Sequence, residues 1–141
     1  MNMSAPTDIL IFVAQGRTPI RCHTVSEMDM ILDRLHAAEI EKLAAGEDCC
    51  PLSVSISIPG FEITTGLRSA DSFVMLGAEP YDDWYVAVGD EKAEGDDKMF
   101  YGVHQDTYWA PKHLIPVITA RDAVRYFIEN YQHSPNLKWD R

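Results

Sequence analysis

Apolar and polar residues alternate without a break along Leu52–Ile58, where Leu52, Val54, Ile56 and Ile58 are separated by Ser53, Ser55 and Ser57. A strand shows successive side chains to opposite faces, so this period of two predicts a half-buried β-strand with its aliphatic face toward a core. Pro59-Gly60 then supplies a turn, and Phe61, Ile63 and Thr65 continue as the returning strand of a hairpin. Nearer the start, Ile9–Val13 is an uninterrupted apolar stretch that reads as a buried strand, closed by Gln15-Gly16 and Pro19. Phe73–Leu76 and Trp84–Val88 predict two more strands, with Glu79-Pro80 and Asp82-Asp83 between them. Gly89–Asp97 has no apolar period and reads as a loop; Met99–Val103 then returns as a strand and Thr107–Trp109 forms another short one. Residues 1–7, polar and containing Pro6, are expected to be a flexible end.

Two segments carry the helical period instead. Near residues 24–45, Met28, Ile31, Leu32, Leu35 and Leu43 share a face, while Asp29, Asp33, Arg34, Glu41 and Lys42 fill the others. Thr24 with Glu27 three residues on has the form of a capping box, and Gly46 is a plausible stop. Near residues 119–131, Ala123, Val124, Phe127, Ile128 and Tyr131 form one apolar stripe, with Thr119 and Asp122 placed as N-cap and N3. Pro135 ends that helix, and Leu137 and Trp139 suggest a last extended segment folded back onto the body. Strands come in consecutive runs with few helices between them, which predicts an α+β fold, a mainly antiparallel sheet packed by two helices. We find no internal repeat, and a length of 141 residues suits one domain over residues 1–141.

Composition excludes several classes. A hydrophobic fraction of 46% and a charged fraction of 24% are those of a folded globular chain rather than a disordered one. The apolar run at Ile9–Ala14 falls far short of the roughly 20 residues a membrane helix needs, and no basic region precedes it as in a signal peptide. A cytoplasmic protein with no membrane contact is the expectation. Net charge changes the picture more. At −10 the chain is repelled by phosphates and anionic lipid, so direct nucleic-acid binding is not expected, whereas a basic partner is attracted. Residues 71–98 hold nine of the 22 acids against two of the 12 bases, a charge of −7 in one fifth of the chain. Either a solvated acidic face or a docking surface fits that concentration.

Candidate chemistry is sparse. The cysteines, Cys22, Cys49 and Cys50, include no Cys-x-x-Cys spacing and read as reduced thiols. Aligning Asp90 with the first position of an EF-hand puts Lys92 at the third and Tyr101 at the twelfth, where carboxylates are required, so calcium is not expected. None of the five histidines pairs at i, i+4, and neither a Gly-x-Ser-x-Gly elbow nor a Gly-rich phosphate loop occurs. Cys22-His23 point to opposite faces of an extended strand and cannot form a dyad there. His104 and Asp106 share a strand side and are the one pair a hydrolase reading could use. No cofactor, no metal and no enzyme activity are expected. Aromatic residues, however, accompany the acids: Tyr81, Trp84 and Tyr85 flank Asp82-Asp83, and Phe100, Tyr101, Tyr108 and Trp109 follow the loop. Aromatic anchors ringed by charge are what protein interfaces use. Reading Trp84 and Phe100 as core leaves a candidate partner-binding set of Asp82, Asp83, Tyr85, Asp90, Glu91, Glu94, Asp96, Asp97, Tyr101, Tyr108 and Trp109.

The C-terminal third adds a resemblance. Pro116–Phe127 (PVITARDAVRYF), followed by Pro135-Asn136-Leu137-Lys138-Trp139, resembles the closing signature of the first-numbered immunity family of polymorphic toxin systems, often encoded beside deaminase toxins. Trp84–Gly89 and Met99–Gly102 are similar to that family's central hairpin. The resemblance implies structural roles for Phe127, Pro135 and Trp139. It also implies a function: an immunity protein, or antitoxin, that binds and blocks a cognate secreted toxin domain. The alternative is a small-molecule-binding or adaptor domain with a pocket between helix and sheet.

Overall fold

The computed structural model describes residues 8–13, 18–46, 52–67, 72–78, 84–100, 102 and 107–140. In chain order these form β1 (Ile9–Phe12), β2 (Ile20–Cys22), α1 (Val25–Ala44), β3 (Ser53–Ile58), β4 (Phe61–Gly66), β5 (Val74–Ala78), β6 (Trp84–Val88), β7 (Lys98–Phe100), β8 (Thr107–Trp109), a 3-10 turn (Pro111–His113), α2 (Val117–Asn130) and β9 (Lys138–Asp140). Seven strands make one sheet in the order β2-β1-β3-β4-β5-β6-β9, and β7 pairs with β8 in a separate ribbon. Every strand pair is antiparallel, so the fold is α+β as the sequence predicts.

The alternation of β3 sets the layers. Ile56 lies across from Ile11 on one side and Ile63 on the other, and Ile63 lies across from Leu76. This row is 0–2% exposed and packs beneath Met28 and Leu32 of α1 and Ala120, Val124 and Phe127 of α2. Each such aliphatic side chain contributes about 1.5–3 kcal/mol by leaving water. Neighbouring positions point to the opposite face, where Ser55, Thr64, Met75 and Val86 form the cross-strand row. There β7, β8 and their flanks close a second cluster in which Phe73, Phe100 and Trp109 pack with Met75, Val86 and Leu114. Phe100 fits because Gly66 lies beneath it: a Cβ on Gly66 would stand 2.6 Å from the Phe100 ring.

Several boundaries differ from the sequence pattern, each for a physical reason. The α1 cap forms with Glu27 N donating to Thr24 Oγ1 at 3.1 Å, but the Glu27 carboxylate accepts from His23 N at 2.8 Å, one residue earlier than a standard box. The second helix does not begin at Thr119. Its N-cap is Pro116, with no side-chain cap, because burying Val117 and Ala120 pulls the first turn three residues earlier, closed by Ala120 N to Pro116 O at 3.0 Å. β2 is an added edge strand. The expected hairpin between Trp84–Gly89 and Met99–Gly102 is not formed: β6 is paired by β5 and β9, and β7 lies in the ribbon with β8. The returning C-terminal segment behaves as anticipated, with Trp139 across from Ala87. The flexible end at residues 1–7 lies outside the described residues.

Candidate partner-binding surface

The acidic loop leaves the sheet where β6 ends, and its base is fixed by bonds within the loop and to distant segments. Gly89 N donates to Lys112 O at 2.8 Å, and a Cβ there would meet Leu114 O at 2.7 Å, so only glycine permits this backbone approach. Asp90 makes the turn: its Oδ1 accepts from Lys92 N at 2.9 Å and its carbonyl from Ala93 N at 3.0 Å. Glu91 then pairs with Lys138 Nζ of β9 at 2.8 Å, which raises the ammonium pKa. Beyond these staples, Glu94, Asp96 and Asp97 are exposed and make no hydrogen bond or ion pair among the described residues.

Two of the cations near the loop, Lys112 and Lys138, are already engaged by carboxylates. Asp140 lies 2.9 Å from His113 Nε2 and 3.3 Å from Lys112 Nζ, and these two, the histidine first, hold its carboxyl below the usual range. With Lys138 on Glu91 and Lys112 on Asp140, Glu94, Asp96 and Asp97 still outnumber Lys92 and Lys98, so this stretch keeps a negative charge. The result is a carboxylate cluster on a pinned base.

The aromatic candidates are dispersed. Tyr108 is 65% exposed on β8, across from Met99 and so two residues past Asp97, and stands beside the loop. Trp109 does not: it is 9% exposed, stacks on Phe73 at 4.3 Å and donates Nε1–H to Thr107 Oγ1 at 2.8 Å. Adjacent strand residues point opposite ways, and the ribbon turns Trp109 into the second core. Tyr85 also lies apart, opposite Leu76 on the helix-facing side and 4.5 Å from His133. Phe100 is core as expected, while Trp84 is half-buried over Gly77. Asp82, Asp83, Tyr101, His104 and Asp106 lie outside the described residues. The surface that the structure assembles is therefore Asp90, Glu91, Glu94, Asp96, Asp97 and Tyr108.

Two features had no local sequence signal. Arg121, 8% exposed, donates Nη2 to Asp29 O at 3.1 Å and to Asp29 Oδ1 and Asp33 Oδ1 at 3.0 Å each; Arg125 joins Asp29 at 3.0 Å and also pairs with Asp122. This network clamps α2 to α1 across some ninety residues of sequence, and the buried Arg121 Nε has no acceptor among the described residues. A cavity of about 210 Å3 between the two helices is lined by Asp33, His36, Ile118 and both arginines. A larger, open groove of about 480 Å3 lies between Asp8, His23, Pro59 and Tyr131.

Among the described residues no group of three or more His, Cys, Asp or Glu is placed to hold a metal ion, and no helix is long and apolar enough to cross a membrane. The chain belongs to the immunity protein family Imm1, whose family model matches residues 16–141. Membership makes this an immunity protein by family and implies a cognate toxin protein as its partner. A search of curated proteins found no match.

Proposed function

We propose that the chain binds the toxin domain of a secreted polymorphic toxin, a deaminase acting on nucleic acid, and blocks its active site stoichiometrically in the cytoplasm of the producing cell. The observation that carries this reading is the pinned loop whose Glu94, Asp96 and Asp97 carboxylates have no partner among the described residues. A groove built for a phosphate backbone must be basic, and unpaired carboxylates on a fixed base can occupy it as a phosphate mimic. A pinned base matters because ordering a loop on binding costs affinity. Tyr108, exposed beside the loop, supplies the apolar anchor.

The test is stopped-flow association with a catalytically inactive toxin domain, comparing the native chain with Glu94→Gln/Asp96→Asn/Asp97→Asn. Electrostatic steering raises on-rates by about 10-fold or more, so the triple variant associates at least about tenfold more slowly at low salt and with a flatter salt dependence. Unchanged kinetics would remove the loop from the mechanism.

A further inference from the structure

Tyr131 is the one non-glycine residue with a positive φ among the described residues, at φ 55° and ψ 35°. It is the C-cap of α2, its N–H donating to Phe127 O at 2.6 Å. Helix C-termini place glycine, or sometimes asparagine, in this left-handed conformation because a Cβ is strained there. A bulky aromatic in that position is out of keeping with the backbone. Strain held at a surface residue points to a role outside the fold.

The ring does part of its work inside. One face stacks on Phe61 at 5.6 Å and an edge meets Phe127 at 6.5 Å, covering the end of the helix–sheet core. Yet the residue is 50% exposed and lines the groove of about 480 Å3 with Asp8, His23 and Pro59. Asp8 Oδ1 sits 3.1 Å from Arg21 Nη1 and 3.7 Å from His23 Nδ1. Asp8 is the carboxylate among the described residues lining the groove, and the Glu27 carboxylate accepts from the backbone N of its neighbour His23. The strand registers separate this groove from the acidic loop. Phe61 lies across from Ala78 and Gly77 across from Trp84, so the β3–β4 turn is at the end where β6 begins, whereas the loop leaves where β6 ends.

We propose that this groove is a second docking surface, seating an arginine or lysine side chain of the toxin domain on the exposed face of Tyr131. The inference rests on the reading that the chain binds a toxin. A cation within about 6 Å of an aromatic face is attracted by the ring's quadrupole, and a chain of net charge −10 favours a basic counterpart. The Asp8 carboxylate, an aromatic platform and an open mouth suit that occupant better than an acidic or wholly apolar one.

Equilibrium affinity for the inactive toxin domain is measured with the native chain, Tyr131→Gly and Tyr131→Phe. Tyr131→Gly relieves the backbone while removing the platform, so it is expected to keep the native far-ultraviolet spectrum and lose tenfold or more in affinity. Tyr131→Phe keeps the ring face and stays within about threefold. Nitration of Tyr131, read by mass spectrometry in the free native chain and in the complex, gives a second readout should the glycine variant fold poorly; protection in the complex is expected. Native affinity in Tyr131→Gly, or equal nitration free and bound, overturns the docking site while leaving the toxin reading intact. Failure of the native chain to bind overturns both.

Discussion

Removing Asp29 and removing Arg121 should have unequal consequences, although the two residues form one ion pair. Asp29→Ala takes the shared Oδ1 away from Arg121 Nη2 and Arg125 Nη1, each at 3.0 Å. Hydrogen bonds to charged groups contribute about 1.5–3 kcal/mol each, and leaving a buried guanidinium short of acceptors adds to the loss. Asp29 is 24% exposed, and Arg121 retains Asp29 O and Asp33 Oδ1, so the sum is discounted to about 2–3 kcal/mol. Arg121→Met removes the same pair from the other side. It also removes the buried Nε that has no acceptor, a group that costs about 1–3 kcal/mol as it stands. Asp29 keeps Arg125, and a methionine stem fills much of the guanidinium's channel. The expected loss is below about 1 kcal/mol. In urea denaturation, with a slope of about 2 kcal/mol per molar, Asp29→Ala lowers the midpoint by about 1–1.5 M and Arg121→Met by less than about 0.5 M. Equal losses, or a larger one for Arg121→Met, would refute the assignment of Arg121 as an incompletely satisfied clamp.

Further outcomes follow from the same geometry. Burial lowers the His133 pKa from its ordinary 6.5, and the ring sits 4.5 Å from Tyr85 and 5.0 Å from Trp139. The unfolded chain therefore takes up this proton first, so the contribution is whole above 6.5 and lost as pH falls from there through the lower folded value. Melting temperature recorded from about pH 7.5 to about pH 5.5 should fall less in His133→Phe than in the native chain, and parallel curves would contradict this. Asp140, held low by His113 and then Lys112, acts in a separate window, its contribution being lost only as pH falls below 3.8. Tyr108→Ala should leave stability within about 0.5 kcal/mol and weaken the toxin complex about fivefold or more, whereas Trp109→Ala should cost about 3–5 kcal/mol of fold stability by circular dichroism. A stable Trp109→Ala chain would contradict the second core.

What could be read in advance depended on how local the cause was. The serine alternation of β3, the Thr24 cap and the return of Trp139 each follow from residues within a few positions, and the structure contains them. β2 was missed because three residues with Ile20 and Arg21 exposed carry no periodic pattern; pairing with β1 creates the strand. Thr119 and Asp122 imitate a cap, but the helix starts at the proline because Val117 is needed in the core. The choice between Tyr108 and Trp109 as the outward residue turns on which face the β7–β8 ribbon covers, and that is a tertiary fact. Arg121 and Asp29 meet across distant sequence, beyond any local rule. Of the candidate surface, the loop's charge was legible and its pinning by Lys138 and Lys112 was not.

The central claim is that this immunity protein neutralises a toxin through its acidic loop. It is tested most directly by co-expressing the toxin domain encoded beside its gene in cells with the native chain, with Glu94→Gln/Asp96→Asn/Asp97→Asn, or with neither, once sequencing of the locus has identified that domain, and scoring survival alongside a gel-filtration assay for the complex. Survival and a co-eluting complex are expected with the native chain, and lost or reduced protection with a folded triple variant. Death with the native chain, or full protection by the triple variant, would contradict it.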